Sequence, residues 1–178
     1  MAPQSRVVYV DNDPVVINHA QALLAGPPDG VTDYIDADLR DPAKILAAAA
    51  RVLDFSRPIA VLLVGVLHFI TEPDDPYGIV ARLMDAVPSG SYLVIVHGAS
   101  DIQAEAVAES SRLYNQMSSV PYTPRSHDQV ARFFDGLDLI DPGVVPIGQR
   151  PIPGQPDASV GNAPPDGGTS YCGIGRKR

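Results

Sequence analysis

Tryptophan is absent from this chain and aromatic residues make up only 6 % of it, so whatever core it builds must be aliphatic. A single cysteine, Cys172, excludes an internal disulfide framework and any multi-cysteine metal site, and fits a reducing compartment. Basic residues are scarce. Thirteen Lys and Arg stand against 21 Asp and Glu, for a formal charge of -8, which argues against a nucleic-acid backbone or an anionic membrane surface as the main partner. A small molecule or another protein is the expected partner. No apolar run reaches the ~18 residues a membrane span needs, and no charged segment followed by an apolar one opens the chain, so a cytoplasmic protein is expected. Also lacking is a glycine-rich loop behind a strand: Gly173-Ile-Gly-Arg has no third glycine.

What is present is 45 % hydrophobic residues over 178 positions, enough for one domain covering 1–178, without repeats. The longest apolar run, Pro58 to Phe69, is rich in β-branched residues and reads as a central strand buried on both faces. Around it the pattern alternates. Arg6-Val-Val-Tyr-Val is a strand that stops at Asp11-Asn12-Asp13-Pro14. A helix with apolar positions Val16, Ala20, Leu23 and Leu24 follows, capped by Asp13. Val31 to Ile35 is a second strand, and Asp41-Pro42 opens a helix that runs through the four alanines to Leu53. Asp74-Asp75-Pro76 caps a helix with Ile79, Val80, Leu83, Met84 and Val87 at helical spacing, and Tyr92 to Val96 is a further buried strand. Strand and helix thus alternate four times, the signature of an α/β, doubly wound, mostly parallel sheet.

The second half departs from this repeat. It holds a helix from about Ile102 to Met117, a short helix capped by Ser126, and two last strands at Leu137–Ile140 and Thr169–Ile174 that form an antiparallel C-terminal pair. Between these strands, 150–168 is rich in Pro and Gly and reads as an extended loop.

Open α/β sheets bind ligands beyond the carboxyl ends of their strands, and the polar residues of this chain collect there. Asp11, with Asn12 beside it, can accept hydrogen bonds from ribose hydroxyls or can simply make a turn, while Asp13 caps its helix. Asp38 can accept from an exocyclic amine with Leu39 packed on a purine face, or belong to a solvated turn before the Asp41 cap. His68 and His97 end neighbouring strands, where each can touch a substrate or serve structure only; a metal there would need a third ligand such as Glu72 or Asp74, and none is expected. A phospho-accepting receiver domain, suggested by the opening acids, would need an aspartate and a lysine where His68 and His97 stand. A nicotinamide-dependent reductase would need the glycine-rich turn that is lacking.

Taken in order, Arg6-Val-Val-Tyr-Val-Asp-Asn-Asp-Pro-Val-Val, Tyr34-Ile-Asp-Ala-Asp-Leu-Arg-Asp-Pro, Leu62-Leu-Val-Gly-Val-Leu-His-Phe-Ile, Asp74-Asp-Pro-Tyr-Gly-Ile-Val and Arg132-Phe-Phe-Asp-Gly-Leu-Asp-Leu resemble the actinobacterial S-adenosylmethionine-dependent methyltransferase family, a branch of the Rossmann-like class I methyltransferases. The resemblance implies S-adenosylmethionine as cofactor, its ribose held by Asp11 with Asn12, its adenine flanked by Asp38 and Leu39. It also implies that Leu67, His68 and Phe69 face methyl donor and acceptor, with His68 as base or orienting group and His97 on the substrate side. Family members carry, ahead of the segment matching Arg6, several helices and a first strand that leads into a glycine-rich loop around the methionine part of the cofactor. That strand would lie between those at Val7 and Val61. Its absence predicts either direct closure of the two neighbours or a gap, with truncation as the origin, and weak or absent cofactor binding. The other reading is a non-catalytic remnant or interaction module that self-associates through the unpaired strand edge.

Overall fold

The computed structural model describes residues 5–23, 31–149 and 168–178. β-Branched runs form the first two strands, β1 (Arg6–Asp11) and β2 (Val31–Asp36), which pair in parallel with Asp11 opposite Asp36. The helix between them, α1 (Pro14–Leu23), starts where the Asp13 carboxylate accepts from the Val15 N–H. Ile17 is buried, 8 % exposed, whereas Val16 is 45 % exposed, so at this turn Ile17 and not Val16 faces inward. Leu24 and the Pro/Gly-rich stretch at 150–167 lie outside the described residues.

α2 (Pro42–Ala49) is capped by Asp41, whose carboxylate accepts from Lys44 N–H, and it ends earlier than Leu53 in successive turns. β3 (Ala60–Val64) is followed by Gly65 and two short 3-10 turns, Leu67–Phe69 and Glu72–Asp74. α3 (Pro76–Ala86) begins at Asp75, a left-handed residue whose carboxylate accepts from the Gly78 N–H. β4 (Tyr92–Gly98) then pairs in parallel with β3. α4 (Ala104–Met117) and α5 (His127–Ala131) follow, α5 opened by a capping box of Ser126 and Gln129. β5 (Leu137–Leu139), β6 (Val145–Pro146) and β7 (Ser170–Lys177) complete the order. The antiparallel pair is real but wider than expected: β7 lies between β4 and β5 and is antiparallel to both, and β6 also pairs with it.

The Gly173 and Gly175 that superficially suggested a phosphate loop are strand residues. A Cβ at either would stand 2.8 Å from the Phe134 ring, so the missing side chains make room for that phenyl against the sheet. The main core joins α3, β4 and the Phe133-Phe134 turn through Leu67, Ile79, Leu83, Leu93, Ile95 and Val130. A smaller cluster of Ile35, Ala37, Ile45 and Ala49 lies under β2 and α2, and Leu39 and Phe55 pack against both.

The missing first strand decides the sheet. β1-β2 and β3-β4-β7-β5 are two separate sheets, and no strand lies between β1 and β3 among the described residues. The outcome is the gap, not closure. β3 is consequently an edge strand. The expected burial on both faces is met on one only: Leu63 is buried, but Leu62 and Val64, which alternate to the opposite face of the sheet, are 61 % and 58 % exposed, because among the described residues no layer covers that face.

Candidate functional site

Parallel register brings the ends of β1 and β2 to one edge. The Ala37 N–H donates to the Asp11 carbonyl at 3.0 Å, so the segment carrying Asp38 leaves β2 beside the end of β1. Both expected cofactor acids are thus neighbours. Each is partly engaged locally: Asp11 Oδ1 accepts from the Asp13 N–H at 2.8 Å, and Asp38 Oδ1 accepts from the Arg40 N–H at 2.8 Å. Asn12 is exposed, and Leu39 is half-buried between the two cores.

Arg40, to which sequence reasoning gave no role, carries this edge across the gap. Its guanidinium meets both oxygens of Asp38 at 3.2 Å, lies 3.4 Å from Asp74 Oδ1, and donates to the Phe69 carbonyl at 3.0 Å. The end of β2 and the turn after β3 are therefore tied together although β1 and β3 are unpaired. Asp74 is held below the usual carboxylate range, first by the Thr71 hydroxyl and N–H and then by Arg40.

The turn after β3 presents three of the expected residues in different ways. Leu67 is fully buried, so its side chain belongs to the core and its backbone is what the site receives. His68 is half-buried, with Phe69, Tyr122 and His97 rings at 4.5, 4.7 and 5.6 Å. Tyr114 continues the aromatic surface, 6.3 Å from Phe69 and 5.8 Å from Tyr122. Glycine at 98 allows this arrangement, since a Cβ there would collide with the Tyr122 hydroxyl. His68 Nδ1 is buried and meets no hydrogen-bond partner. Burial, and next the positive charge of Arg125, push the His68 pKa down to about 4.

His97 is fully buried one ring behind His68. Its Nε2 lies 2.9 Å from Arg125 Nη1 and its Nδ1 2.9 Å from the Gly98 carbonyl. A guanidinium only donates, so Nε2 must accept and Nδ1 must carry the proton and donate to Gly98. Burial foremost, against the pull of the Gly98 carbonyl and with the help of Arg125, brings its pKa to about 4. Both histidines are neutral at neutral pH. Among the described residues, no group of three or more His, Cys, Asp or Glu is placed to hold a metal, and no helix is long and apolar enough to cross a membrane.

The arginines were missed because an arginine beside a turn reads as surface, and only long-range partners reveal otherwise. Ser126 four residues before Val130 marked α5, but nothing local marked Arg125 as buried.

A parallel α/β edge with acids after its first two strands and a polar turn after its third defines a nucleotide-cofactor fold of the Rossmann-like class. Within it the chain belongs to the S-adenosyl methyltransferase family, whose model matches residues 1–178. It is similar to a DUF574 family protein from Streptomyces avermitilis, at 38 % identity and a TM-score of 0.91, covering 99 % of this chain and 67 % of that one. It is also similar to a putative methyltransferase from Thermobifida fusca, at 36 % identity and a TM-score of 0.79, covering 97 % of this chain and 63 % of that one. This chain therefore spans about two thirds of the length of both. The fold extends to a methyltransferase from Methanosarcina mazei at 10 % identity and a TM-score of 0.63. No curated protein matches the chain.

Proposed function

We propose that this chain forms the adenosine-binding and acceptor-facing part of an S-adenosylmethionine-dependent methyltransferase acting on a small molecule in the cytoplasm. The observation that carries the reading is the single edge on which Asp11, Asp38, Leu39 and the Leu67–Phe69 turn meet, with Arg40 joining its two halves. The donor set fits an adenosine. Asp11 engages one carboxylate oxygen with the Asp13 N–H and can turn the other to a ribose hydroxyl, and Asp38 and Leu39 offer an acceptor beside an apolar face. Gly65, at φ +71, leaves open space at the end of β3, where a Cβ would come no closer than 3.9 Å to His68.

When bound, the cofactor supplies an activated methyl group on a sulfonium, so the protein mainly aligns the acceptor. His68 suits orientation better than proton removal. A base whose conjugate acid has a pKa of about 4 holds a proton poorly at neutral pH, whereas a neutral imidazole can still hydrogen-bond an acceptor hydroxyl or amine. Phe69, Tyr114 and Tyr122 would exclude water around it.

Because the sequence has no glycine-rich loop behind a strand, this chain should grip adenosine and little of the methionine half. Adenosine and S-adenosylhomocysteine should bind weakly and with affinities within about threefold of each other, a difference below ~1 kcal/mol. Amide shifts should centre on Asp11, Asn12, Asp38 and Leu39 in NMR titrations. Micromolar affinity for S-adenosylhomocysteine in calorimetry, or shifts confined to other residues, would overturn the reading.

The split sheet favours a second reading, that of an interaction module. Among the described residues β1 and β3 each keep an unpaired edge, and Val7, Val10, Leu62 and Val64 are all more than a third exposed. If these edges take up a strand from a second copy, light scattering after size exclusion should give a defined oligomer, and Leu62→Lys should dissociate it. A monomer at all concentrations counts against this reading.

A further inference from the structure

We propose that Arg125 is the positioning residue of the acceptor side: its buried guanidinium grips both ends of the Leu67–Phe69 turn and fixes the tautomer of the histidine behind it. The inference rests on the reading above that this turn faces the transferred methyl group. Arg125 is 1 % exposed.

A guanidinium has five N–H donors, and here each has an acceptor. Nη1 donates to the Leu67 carbonyl at 3.0 Å and to His97 Nε2 at 2.9 Å. Nη2 donates to the Ile70 carbonyl at 2.9 Å and to Glu72 Oε1 at 3.0 Å, and Nε reaches the same carboxylate oxygen at 3.3 Å. The two carbonyls bracket the turn that carries His68 and Phe69. The fork spans three segments, since Arg125 itself is stitched to the end of β4 by its N–H to the Gly98 carbonyl and by Ser100 N–H to its own carbonyl. Phe133 and Tyr77 lie under the guanidinium with centroids at 5.5 and 5.9 Å.

So elaborate a set of partners for one cation is more than charge balance requires. The counter-charge, Glu72, is largely exposed, with 59 % of its side chain open, while the neutral acceptors are the buried ones. What the fork accomplishes is geometric: it sets the turn against β4 at fixed depth. A lysine, with a single nitrogen and three donors, cannot reproduce contacts that diverge from a planar fork.

The test uses the full chain and needs no methyl transfer. In the wild-type protein, long-range nitrogen NMR of the histidine rings should show His97 protonated on Nδ1 alone; protonation on Nε2 would overturn the proposal. In Arg125→Lys, the Phe69 and Ile70 amides, which close the turn onto Val66 and Leu67, should exchange at least about tenfold faster while Leu83 in α3 keeps its protection. Equal protection in the variant and the wild type, or acceleration of α3 by the same factor, would overturn it. Guanidinium ion added to Arg125→Ala should restore protection of the turn, and failure to do so counts against the fork. Should these variants not fold, Glu72→Gln weakens the grip from the exposed side: exchange of Ile70 should rise several-fold, and an unchanged rate would again overturn the proposal. A failed result here leaves adenosine binding untouched, whereas a failed adenosine titration leaves this test standing.

Discussion

Acidification from pH 6.5 towards pH 4 should cost this protein stability, and the loss should set in at a pH where its carboxylates are still ionised. His97 has a folded pKa of about 4 against an ordinary value of 6.5, so in that window the unfolded chain binds a proton that the folded one refuses. The unfolded state is then favoured by falling pH. The stability linked to His97 is fully present above 6.5, declines as pH drops, and levels off below about 4. Its size is on the order of 3 kcal/mol, with a smaller addition in the same direction from half-exposed His68. Against a typical domain stability of about 5–15 kcal/mol this is a large share. His127 works the other way. Its pKa is raised, chiefly by the Asp128 carboxylate, so its contribution is present at low pH and disappears as pH rises through its folded value. Urea denaturation across a pH series measures the sum, and ring NMR of each histidine separates the parts. His97→Gln, which keeps an acceptor for Arg125 and takes up no proton, should lose one proton's worth of the slope. A flat profile between 6.5 and 4, or a His97 ring titrating near 6.5, would refute the neutral buried pair.

Phe134→Ala should destabilise the protein by about 3–5 kcal/mol, as expected for emptying a well-packed phenyl site. Phe134 is 3 % exposed and fills the space that Gly173 and Gly175 leave on β7. The reverse insult is Gly173→Ala. Its methyl would stand 2.8 Å from Phe134 Cζ and 3.1 Å from Val144 Cγ2, an overpacking that costs about 1–3 kcal/mol. Combining the two should cost less than the sum, because the new methyl enters the void left by the ring. Additive losses in urea denaturation, or a loss below ~1 kcal/mol for Phe134→Ala, would show that the phenyl does not fill that space. The effect reaches the site, since β7 is hydrogen-bonded to β4 and His97 pairs with Tyr171 across that seam.

Much of the site's address was legible before the structure. Strands of β-branched residues stop sharply at Asp11 and at Asp36, and such stops are local, so the acids could be placed at strand ends. Parallel pairing sets Asp11 opposite Asp36, two residues before Asp38. The helix caps Asp41, Asp75 and Ser126 were equally readable, being one-residue signals with short reach. What was not legible depends on partners distant in sequence. Arg40 and Arg125 act on carbonyls 29 and 55 to 58 residues away, and nothing beside them announces it. The exposure of Leu62 and Val64 likewise follows from which face of the sheet is covered, which an apolar run cannot reveal. The glycines of β7 have their reason in Phe134, some forty positions earlier.

The placement of β7 also bears on how the chain is made. Ribosomes deliver β4, β5 and β6 before the segment that joins them, since β7 is the shared partner of all three and follows them in sequence. Until that ribbon emerges, one edge of β4 and the short β5 and β6 lack their common template, and the histidine pair stands at an unfinished border. Vectorial synthesis therefore withholds closure of this half of the molecule until β7 has been made, in the slow regime set by contacts far apart along the chain.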